Sequence, residues 1–225
     1  MPLYRQEERL TPEETDQCFE REERRVGHSL YHTACPTCRA CQGLRILVNE
    51  FSPSPSQRRV WKRWQDLGER LEVRVGTPTV SEEKVRLYNR HKVERGLSDP
   101  GDLLDEAGYL GWLVQSCVPT MEMTYHLDGR LIGVGILDVG RWSTSSVYFY
   151  FEPSRPIARL SPGVFSVLAE VAWGRQTGRR YHYLGLYVEG APTLSYKGNY
   201  FPHERLRDGA WRRQERDQGQ GSSRD

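Results

Sequence analysis

The chain has 225 residues, enough for one large domain or two small ones. Its apolar share of 37% is a globular value, and 32 basic against 30 acidic residues leave a formal charge of +2, so any attraction for nucleic acid has to come from local patches. No run of eighteen apolar residues exists, which excludes a transmembrane helix, and the polar, acidic opening "MPLYRQEERLTPEETDQ" is unlike a secretory signal.

The first chemical feature is "YHTACPTCRACQGLR" (31–45), where Cys35, Cys38 and Cys41 stand at C-x2-C-x2-C spacing. Five cysteines in all, three of them bunched, argue for a reduced cytosolic chain over a disulfide framework. Three thiolates so spaced can reach one metal, and soft sulfur selects zinc or an iron–sulfur cluster. The choice between the two is open, as is the fourth ligand among Cys18, His28 and His32, and so is the plainer reading of three reduced thiols in a turn.

A helix follows in "SPSQRRVWKRWQDLGERL", capped by Ser56, with Val60, Trp64, Leu67 and Leu71 as one apolar stripe. Arg59, Lys62, Arg63 and Arg70 fall on its other faces, with Arg58 near the start, and suit a phosphate backbone; an ordinary solvated face fits the same residues at least as well. "SEEKVRLYNRHKVERGLSDPGD" reads as a second helix, with Val85, Tyr88 and the stem of Lys92 on one stripe, closed by Gly96 and followed by a turn-rich loop to residue 102.

From about Ala107 the period turns to two. "TMEMTYHL" reads as a half-buried strand, and Asp128–Gly129 asks for a type I′ hairpin turn into "RLIGVGILDVG". In that strand Ile132, Val134 and Ile136 share a face, and Gly133 and Gly135 leave room for close approach on the other. "SSVYFYF" alternates again. Val164, Val167, Leu168, Val171 and Ala172 then recur at helical spacing, with Ser161 as cap, Pro162 as first residue and Gly174 or Gly178 as the stop. "YHYLGLYV" returns to strand. A helix crossing between two strands of one sheet makes that pair parallel within a mixed sheet.

Two segments beside these elements are candidate sites. At "FEPSRPIARLSPGV" a strand gives way to a helix start with Arg155 and Arg159 nearby, an anion-binding arrangement or a plain loop. "GLYVEGAPTLSYKGNYFPHERL" places Tyr187, Glu189, Tyr196, Lys197, Tyr200 and His203 just after a strand, where ligand pockets commonly lie. Lys197 can bind an anion there, and Glu189 can act as a base if desolvation raises its pKa.

Taken in order, "RRVGHSLYHTACPTCRACQGLRI", "FSPSPSQRRVWKRW", "LYNRHKVERG", "DGRLIGVGILDV", "SSVYFYFEP" and "YHYLGLYVEGAPTLSYKGNYFPHERLRDGAW" resemble the aminoacyl-tRNA–protein transferases of the N-degron pathway, the arginyltransferases and their bacterial leucyltransferase relatives. The resemblance spans about residues 24–211. The chain departs from the family pattern in lacking a further N-terminal cysteine stretch, in carrying Ser195 before the Tyr196–Lys197 pair, and in having Leu186 where an aromatic is usual.

The resemblance implies an α+β, acetyltransferase-like mixed sheet with helices, beside a small cysteine-containing N-terminal region. The expected division is residues 1–75 for that region and its basic helix, 76–211 for the catalytic domain, and 212–225 for a disordered tail. It also implies transfer of an amino acid, leucine over arginine, from charged tRNA to the α-amino group of cytoplasmic proteins beginning with Asp or Glu, marking them for degradation. No cofactor is needed for that transfer. The residues expected to carry it are Lys197 as the cation for the acceptor's acidic side chain, Glu189 or Tyr196 as the proton acceptor, Arg58, Arg59, Lys62 and Arg63 on the tRNA, Arg155 and Arg159 at its 3′ end, and Tyr187 in the substrate pocket. Two other classes stand beside this one. A coenzyme-A-dependent N-acyltransferase would want more glycine than "RLSPG" supplies, and a non-catalytic zinc or RNA-binding module would leave the second half of the chain idle.

Overall fold

The computed structural model describes residues 2–6, 8–98 and 103–216. In chain order its elements are β1 (Pro2–Gln6), α1 (Pro12–Glu20), β2 (Arg24–Val26), β3 (Ser29–Thr33), β4 (Gln42–Leu47), α2 (Pro55–Gln65), β5 (Leu71–Gly76), α3 (Glu82–Glu94), α4 (Glu106–Tyr109), β6 (Thr120–Leu127), β7 (Arg130–Val139) and β8 (Ser143–Phe151). There follow α5 (Arg155–Ala158), α6 (Pro162–Gln176), β9 (Tyr181–Tyr187), α7 (Pro192–Ser195), β10 (His203–Arg207) and β11 (Ala210–Gln214). Strands β1-β3-β2 form one small sheet, and β11-β10-β4-β9-β8-β7-β6-β5 form a sheet of eight. Its pairs are antiparallel except β8–β9, which is parallel across the α5–α6 crossover. This is the mixed α+β sheet that the strand–helix–strand order predicts.

Local chemistry sets most of the boundaries. Asp128 and Gly129 both take positive φ, 51° and 77°, closing the β6–β7 hairpin as the type I′ turn requires. Helix α2 starts earlier than the sequence suggests. Ser54, not Ser56, is the cap, because Gln57 stands three residues on and returns the bond: Ser54 Oγ accepts from Gln57 N at 3.2 Å, and Ser54 N donates to Gln57 Oε1 at 2.7 Å. Helix α2 ends at Gln65, so Leu67 and Leu71 lie beyond it, yet both still pack with Val60 and Trp64. Ser161 precedes α6 as expected but in a left-handed conformation with no side-chain capping bond, and Gly174 lies inside the helix, leaving the turn at Gly178 as the stop.

Both faces of the large sheet are covered, which alters the reading of its strands. Helices α2 and α6 lie on one face, with Trp64 stacked on Phe165 at 4.3 Å and its Nε1 donating to Leu160 O at 2.8 Å. Helix α3 lies on the other, around Val85, Tyr88, Val134, Ile136 and Tyr150. Glu122 and Thr124 of β6 are therefore buried rather than solvated, and Glu122 pairs with Lys84 of α3 at 2.5 Å. Ile132 does not share a face with Val134 and Ile136: a register shift in the β6–β7 pairing turns it to the α2–α6 side. Gly133 and Gly135 admit side chains and not a backbone, namely the Phe149 ring and the Glu170 carboxylate.

The sheet takes in strands from both sides of residue 75, since β4 lies between β10 and β9, and β5 pairs with β6. Residues 212–214, expected in the tail, continue β11 against β10; residues 217–225 and the end of the turn-rich loop, 99–102, lie outside the described residues. The small sheet is anchored by Arg25 of β2. Its guanidinium is buried, donates to Asp138 of β7 at 2.8 Å and reaches Trp112 O at 2.8 Å. Removing Asp138 would strand a buried charge, a loss of about 3–5 kcal/mol. That anchor fixes where the neighbouring Arg24 can go.

Candidate active site

Strands β8 and β9 pair over three positions only, ending at Ser145 and Tyr183. Beyond them the two strands part. Strand β9 also carries an extra residue opposite β4, where Leu44 pairs with Gly185 and Arg45 with Tyr183. The wedge between the parted strands holds a cleft of about 450 Å³. Its lining is mixed: Val147, Phe149, Leu184 and Leu186 from the strands and Leu194 from α7 give it an apolar wall, and α6 closes its base through Gly163, Ser166, Val167 and Glu170.

Glu170 is the charged group at that base. It is 2% exposed, accepts from Ser166 Oγ at 2.8 Å, takes a short bond from Ser146 Oγ, and lies 3.1 Å from His182 Nε2. His182 is fully buried, and its Nδ1 lies 2.8 Å from Thr144 Oγ1. A buried carboxylate with every neighbour hydrogen-bonded is rigid, which is what an edge of a reaction site requires.

The mouth of the cleft is cationic. The turn after α7 brings Lys197 in, where its Nζ donates to Leu186 O at 2.8 Å. Burial, and then the nearby Arg24 charge, bring the Lys197 ammonium down to about 7. Tyr196 stands at the rim, 48% exposed. Arg24 and Tyr31 come from the small sheet, and Arg95 from the end of α3.

Of the residues singled out in the sequence, Tyr196 and Lys197 therefore share this cleft. Glu189 does not: it is exposed in the turn after β9, without the desolvation that its role as a base requires. Tyr187 packs against Gly198 and under Arg205, outside the cleft lining. Arg58, Arg59, Lys62 and Arg63 are exposed on α2, and Arg63 donates to Arg159 O at 2.7 Å, so α2 and the α5 region form one basic surface with Arg155 and Arg159.

Cys35, Cys38 and Cys41 line a separate depression of about 660 Å³ with Glu22, Arg39 and Arg207. Among the described residues no three His, Cys, Asp or Glu side chains are grouped as metal ligands. Cys18 cannot complete a set with them: it is buried in α1 beside Leu30, Cys117 and Val118, where burial pushes its thiol to about 11. His28 and His32 are exposed. Among the described residues no fourth ligand stands with the three thiols, so a closed four-ligand site is not assembled.

Arg24, Ser146, Glu170 and His182 escaped sequence reasoning. The one available signal was Glu170, a lone carboxylate inside the otherwise apolar "FSVLAEVAW" of α6.

A mixed sheet whose one parallel pair opens over a crossover helix is an acyltransferase-like fold. In line with that, the chain superposes on L-PGS from Bacillus licheniformis with a TM-score of 0.51 at 14% identity, over 78% of this chain and 59% of that one, a likeness of fold alone. Family models described as the N terminus and the C terminus of arginine-tRNA-protein transferase match residues 2–59 and 83–207. The chain is 36% identical to an aspartate/glutamate leucyltransferase of Aeromonas hydrophila over 189 residues, 84% of this chain and 76% of the relative. It is 34% identical to one of Methylobacillus flagellatus over 191 residues, 84% of this chain and 74% of that protein. The chain belongs to the arginine-tRNA–protein transferase family.

Proposed function

We propose that this chain transfers leucine from charged tRNA to the α-amino group of proteins that begin with Asp or Glu, in the cytoplasm where charged tRNA is met, and so marks them for degradation. The observation that carries the reading is the cleft between the parted strands, with Lys197 held in its mouth beside Arg24. Its apolar stretch of Val147, Phe149 and Leu186 gives a leucyl side chain surface to bury against.

The aminoacyl ester is already activated, so the protein's work is to position it and to move one proton. The acceptor amine forms the new C–N bond at the ester carbonyl as the C–O bond to the tRNA ribose breaks. One amine proton passes to a base, which returns it to the departing ribose oxygen as that C–O bond breaks. Lys197, near 7, is uncharged often enough to take that proton, which shifts its role from the anion-binding cation expected of it. Tyr196 is placed to touch either substrate at the rim. The exposed surface of Arg58, Arg59, Lys62, Arg63, Arg155 and Arg159 is proposed to carry the tRNA backbone.

The test is transfer itself. Leucyl-tRNA, arginyl-tRNA and acetyl-coenzyme A are each offered with an Asp-starting peptide. Leucine on the peptide N-terminus is expected; label only from arginyl-tRNA would reverse the donor, and label only from acetyl-coenzyme A would sink the reading.

A further inference from the structure

We infer that Arg24 reads the acidic side chain of the acceptor protein, and so sets the specificity of the cleft. The inference rests on the transfer reading above, and four observations carry it.

The first is placement. Arg25 is locked inward on Asp138, so Arg24, the adjacent residue of β2, projects the opposite way, into the cleft. The second is the seat it occupies. A Cβ on Gly185 would overlap Arg24 Nη1, and Gly185 has φ +80°, a conformation that disfavours any other residue. The extra residue in β9 thus leaves a bare patch of backbone, and the guanidinium lies on it.

The third is how it is held. Nη2 donates to Ser146 O at 2.5 Å, at the first residue past the parallel pairing. The head group therefore spans the point where the strands part. The fourth is what it lacks. Arg25, Arg45, Arg70 and Arg90 each hold a carboxylate, whereas Arg24 forms no ion pair among the described residues. Glu22 feels its charge but is turned onto Gly43, and Glu170 is engaged with Ser146, Ser166 and His182.

A fixed guanidinium with its fork partly unused is a carboxylate receptor. An acceptor carboxylate on Arg24 would bring its own α-amine, two or three carbons away, into the cleft mouth that also holds Lys197. Asn and Gln offer the same shape without the charge, so they gauge the charge-assisted bond, worth about 10- to 100-fold.

The experiment measures kcat/KM with leucyl-tRNA for peptides that differ only in a first residue of Asp, Glu, Asn or Gln. In the native chain the acids are expected to lead by about 10- to 100-fold. In Arg24→Gln that lead should collapse through KM, with leucyl-tRNA binding and the melting temperature held. Arg24→Glu should favour a Lys-starting peptide over an Asp-starting one. An unchanged Asp-to-Asn ratio in Arg24→Gln would overturn the inference, as would collapse of the ratio in Arg95→Gln alone. Should Arg24→Gln not fold, Arg24→Lys decides. Losing the fork while keeping the charge, it should drop about tenfold on Asp and still prefer Asp to Asn; full native kcat/KM on Asp overturns the proposal. A native chain that transfers from no charged tRNA to any of the four peptides would defeat the functional reading instead.

Discussion

The two most chemically loaded regions of this protein are built in opposite ways. The cysteine segment gathers Cys35, Cys38 and Cys41 within seven residues of sequence, on a loop between β3 and β4 that leaves Cys38 exposed. The cleft gathers Arg24, Ser146, Glu170 and Lys197 from four distant parts of the chain and seats them between parted strands. Density along the sequence produced no grouped ligands among the described residues, whereas long-range topology produced a charged, partly desolvated site. Burial is what makes the difference: it brings Lys197 down to about 7 in the cleft, whereas in the loop it only raises the Cys41 thiol, with help from its neighbours Cys38 and Cys35.

The largest effect expected on either side of that comparison is at Lys197. Lys197→Ala should lower transfer by about 10²- to 10⁴-fold, the range of general-base catalysis. Lys197→Arg separates the two roles: it keeps a cation and loses the base, so it should be nearly as damaged as Lys197→Ala. Near-native activity in Lys197→Arg would return Lys197 to the role of anion-binding cation.

The same residue predicts a pH dependence of definite sign. Its pKa is lowered to about 7, so the uncharged form gains as pH rises through 7. The titratable and charged neighbours facing it in the cleft are Arg24, Arg95, Glu170, Tyr31 and Tyr196. Lys197 alone should contribute a rise of about tenfold from pH 6 to pH 7.5, as a base with that pKa dictates. The acceptor α-amine, near 7.7–8.0, adds its own later rise, so the profile in Lys197→Ala should move towards 8. A native rate that falls over the same range would show that the charged lysine is the working form.

The contrast between cleft and loop also explains what could be seen in the sequence. The β6–β7 hairpin, the β8–α6–β9 crossover and its parallel pair were legible because turn chemistry and periodicity are local. Two-sided burial of β6 was not, since Glu122 looks solvated until Lys84 of α3 meets it. The Ser54 cap was missed for Ser56 although both are local, because the reciprocal Gln57 bond decided between them. At the site, Tyr196 and Lys197 were legible as polar residues after a strand. Arg24 was not, because only the Arg25–Asp138 anchor and the bare backbone at Gly185 show where it points.

A smaller effect is expected on the exposed surface of α2. Arg59 and Lys62 lie outside the cleft, so Arg59→Gln with Lys62→Gln should leave the peptide KM unchanged and weaken tRNA binding evenly. For every cation–phosphate pairing removed, the plot of log affinity against log salt should flatten by about one. A native slope in the double variant would move the tRNA elsewhere on the molecule.

The smallest effect is expected at the cysteines, and there the comparison is most exposed to failure. Cys35, Cys38 and Cys41 share no lining residue with the cleft, and the loop they sit on is partly solvated. Replacing all three by serine removes no core packing, so stability should change by no more than about 0.5 kcal/mol per site, and transfer should persist. Metal analysis of the purified chain, with activity before and after chelation, checks the same point independently. A closed structural metal would contribute folding free energy of about 10 kcal/mol or more, so its removal would unfold the segment. Stoichiometric zinc or iron, or loss of transfer in the triple variant, would mean that the loop converges on an ion and acts on a cleft with which it shares no side chain. In that event the small sheet is the path, because β3 leads directly into the cysteine loop and pairs with β2, which carries Arg24.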